Sequence, residues 1–215
     1  MNNNNRQNST NINWYPGHMA KTKRLIEEKY NLIDIVYELV DARIPFSSKI
    51  KDIDKILKNK PRILIITKKD LCEIEETNKW VEYYEKEGYK VLLINIENNN
   101  DYKTIIKETH NIMQDFQGSR QSKGLNKREI RALVIGVPNV GKSTLINKMA
   151  GKKVASTGNM PGVTKNLTWL KTSSDILLLD TPGILWPKFD NNEIALNLAS
   201  TTAIKSEILP VDEVA

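Results

Sequence analysis

The sequence predicts an α/β protein of the P-loop type: a doubly wound, mainly parallel six-stranded sheet. Three observations carry this. Apolar runs are nearly continuous rather than alternating, as in strands buried on both faces. Helical patterns separate most of them. One strand-to-helix junction carries a complete phosphate-loop pattern.

The strands expected are Leu32–Val40, Arg62–Thr67, Tyr89–Asn95, Ile130–Gly136 and Asp175–Asp180, with Leu167–Lys171 as a weaker sixth at an edge. Helical patterns cover Met19–Glu28, Lys51–Asn59, Glu73–Gly88, Tyr102–Phe116, Lys142–Ala150 and Asn192–Ile208. Residues 1–13 are polar and Asn-rich and read as a disordered tail. Residues 14–184 form the nucleotide domain, with 117–129 as a flexible polar connector joining two halves of one sheet. Residues 185–215 form a C-terminal helical segment, read as the start of a further helical domain.

Composition narrows the function classes. Lys and Arg number 32 against 26 Asp and Glu, a net charge of +6 that permits a polyanionic partner without proving one. A single cysteine, Cys72, excludes an internal disulfide framework. Two histidines, His18 and His110, argue against a multi-histidine metal centre. No apolar run approaches a membrane span, and the N-terminus has no apolar signal core, so the expectation is a cytoplasmic protein without a membrane partner.

The strongest motif is Gly136-Val-Pro-Asn139-Val140-Gly141-Lys142-Ser143, followed by Thr144. Its glycines let backbone N–H groups turn inward around phosphate oxygens, and the helix N-terminus adds partial positive charge. Lys142 is placed to bridge the β- and γ-phosphates, and Ser143 to ligate Mg²⁺. Asp180-Thr-Pro-Gly183, at the end of an apolar run, supplies a carboxylate for Mg²⁺ through water and the Gly183 N–H for the γ-phosphate. Thr164, in Met160-Pro-Gly-Val-Thr164, closes over the nucleotide and offers its hydroxyl to the same ion.

Thr67-Lys68-Lys69-Asp70 looks like the guanine-reading Asn-Lys-x-Asp element of GTPases, with Thr in place of Asn. The Asp70 carboxylate suits the two donors of guanine, which adenine lacks. Lys68 is expected along the base, and Asn95 and Ile96 in the loop beneath it. The reader thus precedes the phosphate loop, the reverse of the usual order. Reading the elements cyclically restores that order, so the chain is circularly permuted.

Together these residues resemble the circularly permuted bacterial GTPases of the ribosome biogenesis GTPase A family. Trp14-Tyr-Pro-Gly-His18-Met19 looks like the family's N-terminal signature, and Asp41-Ala-Arg-Ile-Pro45 like its Asp-Ala-Arg-x-Pro segment. The resemblance implies GTP binding and hydrolysis in late assembly of the large ribosomal subunit, with precursor rRNA and ribosomal proteins as partners. It also implies a catalytic role for His18, because Ile184 stands where small GTPases carry a water-positioning glutamine. Lys142 and Thr164 complete the catalytic set. Asn139 resembles the asparagine of potassium-activated GTPases, which implies K⁺ beside Mg²⁺ as cofactors. A monomer is expected. Three alternatives stay open: an RNA-binding or ribonucleoprotein-binding module in which hydrolysis is incidental, a GTPase acting on a different RNA or in an organelle, and a P-loop ATPase or kinase.

Overall fold

The computed structural model describes residues 17–51, 53–155, 167–184 and 192–204, and of residues 17–19 the backbone alone. Six strands form one sheet: β1 (Ile35–Asp41), β2 (Arg62–Thr67), β3 (Lys90–Leu93), β4 (Ile130–Gly136), β5 (Thr168–Lys171) and β6 (Ile176–Asp180). Their order is β3-β2-β1-β4-β6-β5. Every neighbouring pair is parallel except β5 and β6, which form an antiparallel hairpin at one edge.

The helices are α1 (Gly17–Lys29), α2 (Pro45–Ser48), α3 (Ile53–Leu57), α4 (Ile74–Lys86), α5 (Asn99–Ser122), α6 (Lys142–Ala150) and α7 (Asn192–Ser200). They cover both faces of the sheet, which explains the unbroken apolar strands: all seven residues of β1 are buried. Alternate strand positions feed opposite layers. Ile35, Tyr37 and Leu39 join a core with residues of α5, α6 and α7, whereas Val36 joins Ile26, Ile53 and Leu57 on the other side. Val40 packs with Tyr84 of α4.

From β1 the chain winds outward through β2 to β3, and from β4 it crosses the other way to β5 at the opposite edge and returns in β6, between the two. The direction reverses between the neighbours β1 and β4. Their carboxyl ends therefore open the crevice where doubly wound sheets bind ligands. Permutation keeps this geometry and changes only where the chain is cut.

The join between the halves differs from expectation. Residues 117–122 are not a loose connector but the last turns of α5, a 24-residue helix. Gly118 and the polar residues around it suggested a break. At Gly118 nothing lies within 4 Å of where a Cβ would sit, and the residue is carried through the helix. The remaining stretch is anchored. Arg128 makes a bidentate pair with Asp34, both bonds 2.7 Å, and Asp34 also accepts from the Arg131 N–H at 2.9 Å. Gln117 of α5 donates to the Arg128 carbonyl. Arg128 thus closes the join at the sheet's amino end. The C-terminal helix also ends earlier than expected, at Ser200 rather than Ile208, and 205–208 lie outside the described residues.

Candidate nucleotide-binding site

The site is assembled from five strand ends. β4 stops at Gly136, the loop 137–141 follows, and α6 begins at Lys142. Gly141 caps α6 at φ +103°, a conformation that L side chains rarely adopt, and a Cβ there would lie 3.0 Å from Ile96. Ile96 is buried and supports the loop from the β3 side. Ser143 and Thr144 are half-buried in the first turn of α6, beside its positive pole.

Lys142 is 7% exposed and folds back over the loop. Its Nζ donates to the carbonyls of Val137 at 2.7 Å and Gly136 at 3.1 Å. Burial pulls the ammonium down to a pKa of about 8, against the attraction of Asp180.

Asp180 ends β6 and is 4% exposed. The turn after it is fixed by the Thr181 hydroxyl, which donates to the Val134 carbonyl at 2.7 Å. Gly183 lies against Pro138: a Cβ there would sit 2.7–2.8 Å from Pro138 atoms, so glycine alone fits the approach of this turn to the phosphate loop. The Ile184 N–H donates to the Gly136 carbonyl at 3.0 Å, and the Ile184 side chain is fully buried. The residue after Gly183 therefore faces the core and cannot orient water.

The Thr67–Asp70 segment, expected from the sequence to read guanine, meets the loop 137–141 directly. Thr67 is fully buried. Its hydroxyl donates to the Val140 carbonyl at 2.7 Å, with the Val40 carbonyl 3.1 Å away. The hydroxyl that replaces an asparagine amide thus binds the phosphate loop. Lys68 sits at φ +60°, and its ammonium rests on Asp41 at 2.8 Å. Asp41 also takes a bidentate grip from Arg43. Burial pushes the Asp41 carboxyl up, but the hydrogen bonds from Arg43 and Lys68 outweigh it and hold the pKa below the usual carboxylate range. The Asp-Ala-Arg segment thereby anchors Lys68. Asp70 is exposed on a single helical turn, Lys69–Leu71, and the Lys69 N–H is tied to the Ile94 carbonyl at 3.2 Å. Beneath it, the Asn95 side chain accepts from the Glu97 N–H, and Asp101 accepts from the Asn95 N–H.

Asn139 stands at φ +58° and donates from Nδ2 to the Thr202 carbonyl at 2.7 Å and to its hydroxyl at 3.1 Å. No motif signalled Thr202, and the roles of Asp41, Arg43 and Asp101 emerge only once the strand ends meet. Thr164 lies outside the described residues. His18 belongs to α1, and its side chain is outside them as well.

A metal would find one carboxylate and one hydroxyl here, Asp180 and Ser143. Among the described residues no group of three or more His, Cys, Asp or Glu is arranged to hold an ion. That donor set fits Mg²⁺, a hard cation that takes its remaining oxygens from phosphates and water.

Sequence comparison decides the family. A Priestia megaterium protein named ribosome biogenesis GTPase A is 48% identical over 205 residues, 95% of this chain and 71% of the relative. The chain belongs to the ribosome biogenesis GTPase A family. It is a GTPase, and a nucleotide site of this family typically uses Mg²⁺. The Thermotoga maritima ribosome biogenesis GTPase A is 35% identical, over 87% of this chain and 64% of that one. Residues 131–213 match the family model described as 50S ribosome-binding GTPase. The fold agrees with the crystal structure of GNP-bound YlqF from T. maritima. Its TM-score is 0.66 at 28% identity, over 90% of this chain and 71% of that one. The permuted, mainly parallel sheet read from the sequence is therefore the family fold. No helix of the described residues is long and apolar enough to cross a membrane.

Proposed function

We propose that this chain binds and hydrolyses GTP in the crevice between β1 and β4, as a cytoplasmic factor for late assembly of the large ribosomal subunit. The single observation that carries the reading is the Thr67–Val140 hydrogen bond, which joins the guanine-reader segment to the phosphate loop. In this reading Asp70 accepts from guanine, and Asn95 and Ile96 floor the base. The N–H groups of Asn139, Val140 and Gly141 cradle the phosphates with Ser143 and Thr144, and Lys142 transfers from the Val137 carbonyl to the β- and γ-phosphates. Ser143, Thr164 and Asp180, the last through water, hold Mg²⁺, which neutralises charge on the β- and γ-oxygens when bound. Gly183 donates its N–H to the γ-phosphate. His18 orients the attacking water, and Asn139 helps hold K⁺ against the phosphates. The protein acts as a monomer with residues 14–184 as its GTPase domain and 185–215 as a helical segment.

The buried Ile184 favours one rival, a nucleotide-dependent ribonucleoprotein-binding module with incidental hydrolysis. GTP turnover with and without precursor large-subunit particles separates the two. Strong stimulation, lost in His18→Ala with GTP affinity retained and greater in K⁺ than in Na⁺, is the expected result. Turnover that ignores the particles would leave the binding-module reading.

A further inference from the structure

We propose that Thr202 is a positioning residue for GTP hydrolysis: from the turn that closes α7 it holds the Asn139 amide in its working orientation at the phosphate loop. The proposal rests on the reading of residues 136–143 as the loop that holds the GTP phosphates.

The backbone around Thr202 forms a Schellman closure. The Thr202 N–H donates to the Ala199 carbonyl at 2.9 Å, and the Ala203 N–H reaches back to the Leu198 carbonyl at 2.8 Å. This closure puts Thr202 at φ +60°. Glycine is the usual occupant of that position, and for a β-branched residue the conformation is a real outlier. A strained threonine persists where something else is gained.

What is gained is visible on the side chain. The Thr202 hydroxyl donates to the Thr201 carbonyl at 2.7 Å, which turns its lone pairs outward. One of them accepts from Asn139 Nδ2, and the Thr202 carbonyl accepts from the same nitrogen. Asn139 itself stands in a left-handed conformation at the crest of the loop. Two left-handed residues far apart in sequence are thus bonded to each other. With Nδ2 committed to two oxygens of Thr202, the amide cannot flip, and its carbonyl oxygen is fixed at the opposite edge. That oxygen is the atom a cation beside the phosphates would use. Below Thr202, Ala203 and Ile204 are buried in the same core as Val137 and Val140, so α7 and the phosphate loop are held in register.

Structural and positioning roles separate in Thr202→Gly. Glycine relieves the left-handed strain and keeps the main-chain acceptor, but removes the hydroxyl. The expected result is a melting temperature no lower than wild type, kcat for GTP down about three- to tenfold and KM within about twofold. Thr202→Ser restores kcat. In an Asn139→Ala background, Thr202→Gly has no further effect on kcat, because both changes act through one contact. Wild-type turnover in Thr202→Gly, or an equal loss with and without Asn139, overturns the proposal. Lys142→Ala measured alongside keeps the two ideas apart. If it binds GTP normally, the phosphate-loop reading fails. If it loses GTP while Thr202→Gly turns over normally, only the role of Thr202 fails.

Discussion

Lys142 links pH to nucleotide binding with a sign that can be worked out in advance. Its ammonium is buried on the Val137 and Gly136 carbonyls, and burial lowers its pKa from 10.5 to about 8. Phosphate oxygens delivered to the same nitrogen favour the charged form and raise the pKa again. Binding must therefore take up a proton wherever Lys142 is neutral beforehand. The uptake expected is small near pH 7 and grows as pH rises through 8. Calorimetric titration of Mg-GDP at pH 7.5 and 8.5, in two buffers of different ionisation enthalpy, reads this uptake directly. The same shift acts oppositely on stability. A lysine with a folded pKa below its unfolded one binds fewer protons when folded, so its contribution to stability rises as pH climbs from about 8 towards 10.5. The upper limit of that gain is on the order of 3 kcal/mol. Alkali thus stabilises the fold through this group while weakening nucleotide binding. Uptake that does not grow between pH 7.5 and 8.5 would refute the reasoning that burial lowers the Lys142 pKa and phosphate restores it.

Two further substitutions test how the site is held. Thr67→Val removes a buried hydroxyl from the Val140 carbonyl at almost constant volume; a loss of about 1–2 kcal/mol in urea unfolding and severalfold weaker GTP binding are expected, with Thr67→Ser close to wild type. Asp34→Ala breaks the bidentate pair that closes the join at Arg128; since Arg128 is about a third exposed, we expect a loss of about 2–3 kcal/mol rather than the full cost of a buried pair, with GDP affinity within about twofold of wild type.

What the sequence disclosed follows the strength of its local signals. Arg62–Thr67 and Ile130–Gly136 are strands over the residues expected, because short, mainly apolar runs rich in Ile and Val leave little choice. The phosphate loop was legible because its backbone geometry demands glycine at fixed spacing. The join was not: Gly118 signals a breaker, and the reach of α5 through Ser122 depends on tertiary support from Arg128 and Gln117. The part Thr67 plays was also hidden. Its hydroxyl meets Val140 across 73 positions of sequence, and no local pattern announces that contact. Thr202 occupies a position where composition favours glycine, so its significance appears only when its dihedral and its partner are seen together.

The central claim is that a guanine reader at residues 67–70 serves a phosphate loop that follows it in the chain. Competition of GTP, ATP and xanthosine triphosphate against fluorescent GDP, for wild type and Asp70→Asn, tests it most directly. The account predicts that GTP competes far better than ATP in the wild type, and that Asp70→Asn shifts preference towards xanthine by removing the acceptor for guanine's N1–H and 2-amino groups. Equal competition by ATP, or an unchanged preference in Asp70→Asn, would contradict it.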